Sequence, residues 1–158
     1  MRVGIGYDVH AFDESRPLVL GGVTIENAPG LAGWSDADAL THAVTDAILG
    51  AAGLGDLGTH FGAEQVAEGV SSLELLAGTS KMLADKGFRL VNVDAVVAIQ
   101  EVRMSPYRDL MAARLADALG VDAGAISVKA TTTDRLGFVG QGEGISCVAV
   151  ALIEEPRG

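Results

Sequence analysis

The chain has 158 residues, 49% of them hydrophobic and 4% aromatic, with 21 glycines. That length reads as one domain spanning 1–158, and the apolar content excludes a disordered chain. Eleven Lys and Arg against 21 Asp and Glu leave a formal net charge of -10, which excludes nucleic acid or an anionic membrane as partner, because phosphate surfaces call for clustered cations.

Lysine supplies three of the eleven cations; a salt-adapted protein and an ordinary acidic enzyme both fit that balance. Cys147 is the single cysteine, so no disulfide framework forms within the chain, and a reducing compartment is expected. It lies in the apolar run GISCVAVALI (144–153), where a buried strand thiol is the expectation. Apolar runs of about ten residues are too short to cross a bilayer. The opening MRVGIGYDVH lacks a signal-peptide pattern, which makes the cytoplasm the expected location.

The first strand is predicted from Arg2 to Val9, where Val3, Ile5, Tyr7 and Val9 alternate with glycines and Asp8. A second extended piece covers 18–25, broken by Gly21-Gly22 as a bulge or hairpin bend. Ser35 is the predicted N-cap of a helix carrying Leu40, Val44, Ala47, Ile48 and Ala51 inward and closing at Gly53. Asp36 and Asp38 suit its positive end. Residues 54–70 read as a glycine-punctuated loop, long enough to be a functional lid.

A second helix is predicted over 72–86, with Gly87 after it. Residues 89–100 read as a strand buried on both faces. Ser105 and Pro106 open a third helix that Gly120 ends, and 126–130 and 144–153 are the last strands. The order β-β-α-α-β-α-β-β predicts an α+β two-layer sandwich, with helices on one face of a mixed sheet.

Asp8 and His10 lie two apart on the first strand, so their side chains leave the same face. His42 sits on the first helix with Asp38 and Asp46 four residues to either side. Two imidazoles and a carboxylate from separate elements match a catalytic zinc set with an open fourth position, and Asp38 or Asp46 could orient His42. A strand-end polar pair and a solvated helix histidine fit the same residues. His60 has no obvious partner.

The run KATTTDRLGFVGQGEG (129–144) offers hydroxyls, backbone N–H groups and one carboxylate. That inventory suits a phosphate with a hard cation on Asp134, or simply a polar turn. GLGDLG (53–58) lacks the Lys-Ser/Thr ending of a P-loop, and Gly4-x-Gly6 lacks the rest of a dinucleotide fingerprint.

Taken together, GYDVHAF (6–12), SDADALTHAVTDAILGAAGLGDLG (35–58) and the 129–144 run resemble the 2-C-methyl-D-erythritol 2,4-cyclodiphosphate synthase family. The resemblance implies a ferredoxin-like subunit in a homotrimer, with active sites between subunits. It implies zinc on Asp8, His10 and His42, and Mg²⁺ or Mn²⁺ on Asp134 bridging the substrate phosphates. The implied reaction converts 4-diphosphocytidyl-2-C-methyl-D-erythritol 2-phosphate to the cyclic 2,4-diphosphate and CMP, a lyase step of non-mevalonate isoprenoid synthesis.

Thr132 and Asp134 are the implied catalytic residues. Implied substrate contacts also include Asp8, His10, Trp34, Ser35, Asp56, Gly58 and Phe61. On the cytidine side the resemblance adds Thr131, Thr133 and the loosely matched 100–106 segment, and it places Phe138 near substrate.

Three positions depart from the family pattern. Trp34 replaces a histidine that helps align phosphates, and an indole can donate one N–H but cannot accept. Phe61-Gly62-Ala63-Glu64-Gln65 replaces an F-P-D-T-D lid, which implies looser positioning of the methylerythritol phosphate. Gln141 replaces an arginine near the threefold axis, where relatives can hold an isoprenoid diphosphate. These departures keep an alternative open: a metal-bound trimer that binds cytidine or isoprenoid diphosphates with impaired catalysis.

Overall fold

The computed structural model describes residues 1–155. Five strands form one sheet: β1 (Arg2–Leu20), β2 (Val23–Leu31), β3 (Arg89–Ala98), β4 (Ile126–Thr131) and β5 (Gly144–Glu154), in the order β2-β1-β5-β3-β4. β3 and β4 run parallel and every other neighbouring pair is antiparallel. The helices are α1 (Ala39–Ala52), α2 (Leu57–Phe61), α3 (Ser72–Asp85), α4 (Arg108–Leu119) and the single turn α5 (Gly137–Gly140). The mixed α+β architecture follows the expectation. β1 and β3 flank β5 as a split β-α-β unit, whereas the α4 crossover sets β4 directly beside β3.

β1 and β2 form a hairpin closed at Gly21-Gly22, with φ of 56° and 69°. Two consecutive left-handed residues suit the twist of a two-residue hairpin, so glycine belongs there. The predicted break between the first two extended pieces is instead an irregularity within one long strand, with register shifts from Asp13 to Pro17 and Leu18.

Period-two alternation sets the layers. On β5, Ile145, Cys147, Ala149, Ala151 and Ile153 are fully buried beneath the helices. On β1 the odd residues point the other way, and Val3, Ile5 and Tyr7 are 67%, 70% and 58% exposed. β3 also alternates, with Val93, Ala95 and Val97 buried and Asn92 exposed. The expectation that this strand is buried on both faces therefore fails in the single chain.

The even residues of β1 face α1. A Cβ on Gly4 would lie 2.0 Å from the Ala47 carbonyl oxygen, and one on Gly6 1.9 Å from that of Ala43. Two strand residues advance about 6.6 Å and four helix residues about 6.0 Å, so the two elements stay in step. The next even position is Asp8, and the helix residue delivered beside it is His42. The Gly4-x-Gly6 pair thus serves helix-on-strand packing.

The cap of α1 differs from expectation. Asp38, not Ser35, is the N-cap, and its carboxylate is fully buried. It accepts from Thr41 N and Gly21 N at 2.9 Å and from Gly22 N and Thr41 Oγ1 at 2.7 Å. Burial pushes its pKa up, against those four hydrogen bonds. One carboxylate therefore ties the hairpin turn to the helix start, satisfying donors that would otherwise be orphaned. The third long helix likewise begins at Arg108, two residues beyond Pro106.

Candidate metal centre and substrate clefts

Asp8, His10 and His42 converge as the sequence suggested. Asp8 Oδ2 lies 2.9 Å from His10 Nε2 and 3.1 Å from His42 Nδ1, and the two ring nitrogens are 3.3 Å apart. A tetrahedral ion with bonds of about 2.0–2.1 Å holds neighbouring donors about 3.3 Å apart, so this triangle is the size zinc requires. The donor chemistry fits as well: two imidazoles and one carboxylate.

Burial pushes the Asp8 carboxyl up, but hydrogen bonds from His10 and His42 and their charges prevail and hold it at about 2. Burial pulls the His10 imidazole down, yet its bonds to Asp8 and to the Ala32 carbonyl leave it raised. The Ala32 carbonyl accepts from His10 Nδ1, which leaves Nε2 to face the cluster.

His42 is not oriented by Asp38 or Asp46, contrary to expectation. Asp38 is committed to the cap, and Asp46 accepts from Leu57 N at 2.7 Å. Two hydroxyls meet His42 Nε2 instead: Ser72 Oγ at 2.9 Å and Ser35 Oγ at 3.1 Å. Asp36, expected to flank a helix start, lies outside α1 and bonds to Ser72. His60 donates from Nε2 to the Leu54 carbonyl at 2.7 Å and stays out of the cluster.

A cleft of about 210 Å³ opens beside His42, with Trp34, Ser35, Gly58 and Phe61 among its walls. Sequence reasoning missed Val66 and Leu75, which also line it. Asp56 caps α2, accepting from Thr59 N at 2.8 Å and Thr59 Oγ1 at 2.7 Å, and those bonds lower its pKa. The loop read as 54–70 thus contains a short helix. Trp34 ties its far end: Nε1 donates to the Val66 carbonyl at 3.1 Å, and the Trp34 carbonyl accepts from Gly69 N at 2.8 Å. Arg16 donates to the Gly33 and Ser35 carbonyls on either side of Trp34.

Thr131 and Thr132 line a different cleft of about 320 Å³, with Arg103, Met104, Ser105 and Arg108. Val102 to Ser105, from the 100–106 segment, lie beside these threonines, and Arg108 was not foreseen. Thr133 turns its hydroxyl to the Leu136 carbonyl at 2.8 Å. Asp134 and Arg135 follow with φ of 51° and 64°, and the Asp134 carboxylate is exposed, while Phe138 is 38% exposed on α5. Gln141 Nε2 donates to the Arg135 carbonyl at 3.0 Å, closing this loop. Within one chain these residues do not join the histidine cluster; β5 and β3 separate β1 from β4, a distance of about 14 Å at sheet spacing.

The described YgbB family matches residues 1–154. The 2-C-methyl-D-erythritol 2,4-cyclodiphosphate synthase of Pelotomaculum thermopropionicum is 53% identical over 156 residues, covering 98% of this chain and 96% of its own. That of Alkaliphilus metalliredigens is 48% identical over the full length of both chains. Among solved structures, the bifunctional IspDF of Campylobacter jejuni superposes with a TM-score of 0.93 at 40% identity. This chain covers 42% of that longer one, and 98% of this chain is matched. The IspF of Plasmodium falciparum in its CDP complex gives a TM-score of 0.85 at 33% identity, covering 99% of this chain and 97% of the other. The chain belongs to the YgbB family, the family of the cyclodiphosphate synthases it matches along its whole length.

Proposed function

We propose that the protein converts 4-diphosphocytidyl-2-C-methyl-D-erythritol 2-phosphate to 2-C-methyl-D-erythritol 2,4-cyclodiphosphate and CMP. The carrying observation is the Asp8–His10–His42 triangle opening beside a cleft walled by Trp34, Ser35, Gly58 and Phe61, in a chain that synthases match end to end. The substrate's own 2-phosphate oxygen attacks the β-phosphorus. The bond from that phosphorus to the bridging oxygen breaks, and the oxygen leaves with CMP. No protein nucleophile is needed, so the protein's work is positioning and charge neutralisation.

Asp8, His10 and His42 would hold zinc, which would supply Lewis-acid polarisation of a phosphate, and Asp134 would hold Mg²⁺ or Mn²⁺, which would supply charge neutralisation. The exposed Asp134 carboxylate is a hard oxygen donor of the type such ions take. Trp34 and Phe61 exclude water from the methylerythritol side, where Ser35, Asp56 and Gly58 offer polar contacts. Thr132 donates its hydroxyl to a phosphate oxygen. Arg103 and Arg108 bring two cations to the cleft shared with Thr131 and Thr132, supplying local positive charge within an acidic protein.

The working unit we infer is a homotrimer in which each active site joins the histidine cleft of one subunit to the threonine cleft of the next. Two observations support it. The half-sites occupy separate clefts, and the sheet face opposite the helices leaves Val3, Ile5, Tyr7 and Val150 uncovered. A stripe of that size calls for a partner surface. No helix among the described residues is long and apolar enough to cross a membrane, and the lone Cys147 is buried with its thiol pKa pushed well up by burial. We assign the enzyme to the cytoplasm, whose reducing conditions suit that thiol.

The binding-only alternative that Trp34, the 61–65 segment and Gln141 raised is not favoured, since synthases match the chain along its whole length. The deciding experiment incubates metal-replete trimer with the diphosphocytidyl substrate and follows phosphorus NMR. Equimolar CMP and cyclic diphosphate are expected; a metal-replete trimer that releases no CMP overturns the proposal.

A further inference from the structure

His42 faces the ligand cluster through Nδ1, and its Nε2 meets Ser72 Oγ at 2.9 Å. Ser72 is fully buried at the first position of α3. Its hydroxyl also bonds to Asp36 Oδ1, and its backbone N donates to Asp36 Oδ2 at 3.0 Å. Asp36 is held in turn by Asp38 N at 3.2 Å, and its own N donates to the Val70 carbonyl at 3.0 Å.

The direction of this chain follows from which atoms carry protons. An ionised carboxylate only accepts, so the Ser72 hydroxyl must commit its one proton to Asp36. The Ser72 oxygen is then an acceptor toward His42, which requires the imidazole N–H to be at Nε2. A neutral imidazole protonated at Nε2 carries its lone pair on Nδ1, the atom turned to Asp8 and His10. Ser35 Oγ, 3.1 Å from the same Nε2, does not impose this order, because it accepts from Ala37 N and reaches Ser72 but no carboxylate.

We propose that Asp36 and Ser72 are positioning residues that fix His42 as its Nε2–H tautomer and so aim the Nδ1 lone pair at the metal. The proposal rests on the metal reading above. It gives the two residues a role that the place of Ser72 at the start of α3 and of Asp36 ahead of α1 does not suggest. His10 has the equivalent restraint from a backbone carbonyl, Ala32, which no substitution removes; the His42 restraint is made of side chains and is open to mutation.

The test reads the tautomer directly. Asp8 Oδ2, 3.1 Å from His42 Nδ1, competes for the imidazole proton in the metal-free wild type. Long-range proton–nitrogen spectra are therefore taken on metal-free, nitrogen-labelled Asp8→Ala protein at alkaline pH, and should show His42 protonated at Nε2. Adding Ser72→Ala should give a tautomer mixture, and Ser72→Ala alone should weaken zinc binding by about 10–100-fold in competition with a chromophoric chelator. Asp36→Asn, which alters charge at constant shape, covers the case in which Ser72→Ala fails to fold. An amide can donate as well as accept, so the Ser72 proton is released from its commitment and the Nδ1–H form should grow. His42 protonated at Nδ1 in the Asp8→Ala protein, or a folded Ser72 or Asp36 variant with unchanged tautomer and zinc affinity, overturns the relay. The Nε2–H form in the Asp8→Ala protein together with a wild type that binds no zinc supports the tautomer relay and overturns the metal reading instead.

Discussion

Gly6 lies directly under the Ala43 carbonyl, so close that any Cβ there would come within 1.9 Å of its oxygen. The contact is with backbone, which cannot rotate away. Gly6→Ala must therefore lift α1 from β1, and the lift is largest at Ala43, the residue next to His42. We expect a loss of about 2–3 kcal/mol in denaturant unfolding, at the upper end for overpacked sites, together with weakened zinc binding. Gly4→Ala should destabilise comparably while disturbing zinc less, because its contacts are Ala47 and Ala51. Equal zinc loss in both variants would disprove this account of how the ligand is delivered.

His42→Ala should remove zinc and turnover together, measured by metal analysis and CMP release on the same sample. His60→Ala loses one hydrogen bond to the Leu54 carbonyl and should retain its zinc, at a stability cost of about 1 kcal/mol.

In the metal-free protein the Asp8–His10 pair creates a pH window. Asp8 is held near 2 against a reference of 3.8, so its contribution to stability is present above that reference and lost as pH falls toward 2. His10 is raised above 6.5, so its contribution is complete below 6.5 and lost as pH rises through its folded value. Apo stability, read as the denaturant midpoint, should show a broad maximum between those limits that Asp8→Asn abolishes. Zinc must displace the His10 proton, so its affinity should climb as pH rises through the same titration. A pH-independent zinc affinity would contradict this.

Trp34 is the chain's single tryptophan, and it touches both the cleft wall and the far end of the 62–70 segment. Its emission should shift when cytidine and methylerythritol phosphates enter. Trp34→Phe keeps an apolar wall but drops the bond to Val66, so KM should rise several-fold with kcat less affected. A kcat loss at constant KM would place the indole in the chemistry instead.

The Asp8–His10 half of the cluster was legible because strand periodicity sets the two on one face and separates them from the apolar odd residues. The Ser35 cap was misread for a physical reason. Ser-Asp before an apolar run resembles an N-cap, but Asp38 gathers four donors from two elements, leaving Ser35 to turn toward His42. The Asp36–Ser72 contact joins residues 36 positions apart, and no local spacing encodes such a pair. The apparent two-sided burial of β3 was misleading because its second face, with Asn92, Asp94, Val96 and Ala98, is only partly covered within one chain.

The distance between β1 and β4 has a genetic consequence. A subunit crippled at His42 still carries an intact threonine half, and one crippled at Thr132 still carries an intact histidine half. Two inactive alleles should therefore complement when their products co-assemble. In the homotrimer proposed above, random mixing gives both good halves to about a quarter of the head-to-tail junctions, so refolding a one-to-one mixture of His42→Ala and Thr132→Ala should restore about that share of CMP release. Each variant alone should stay inactive, and a mixture that also stays inactive would confine both halves to one subunit.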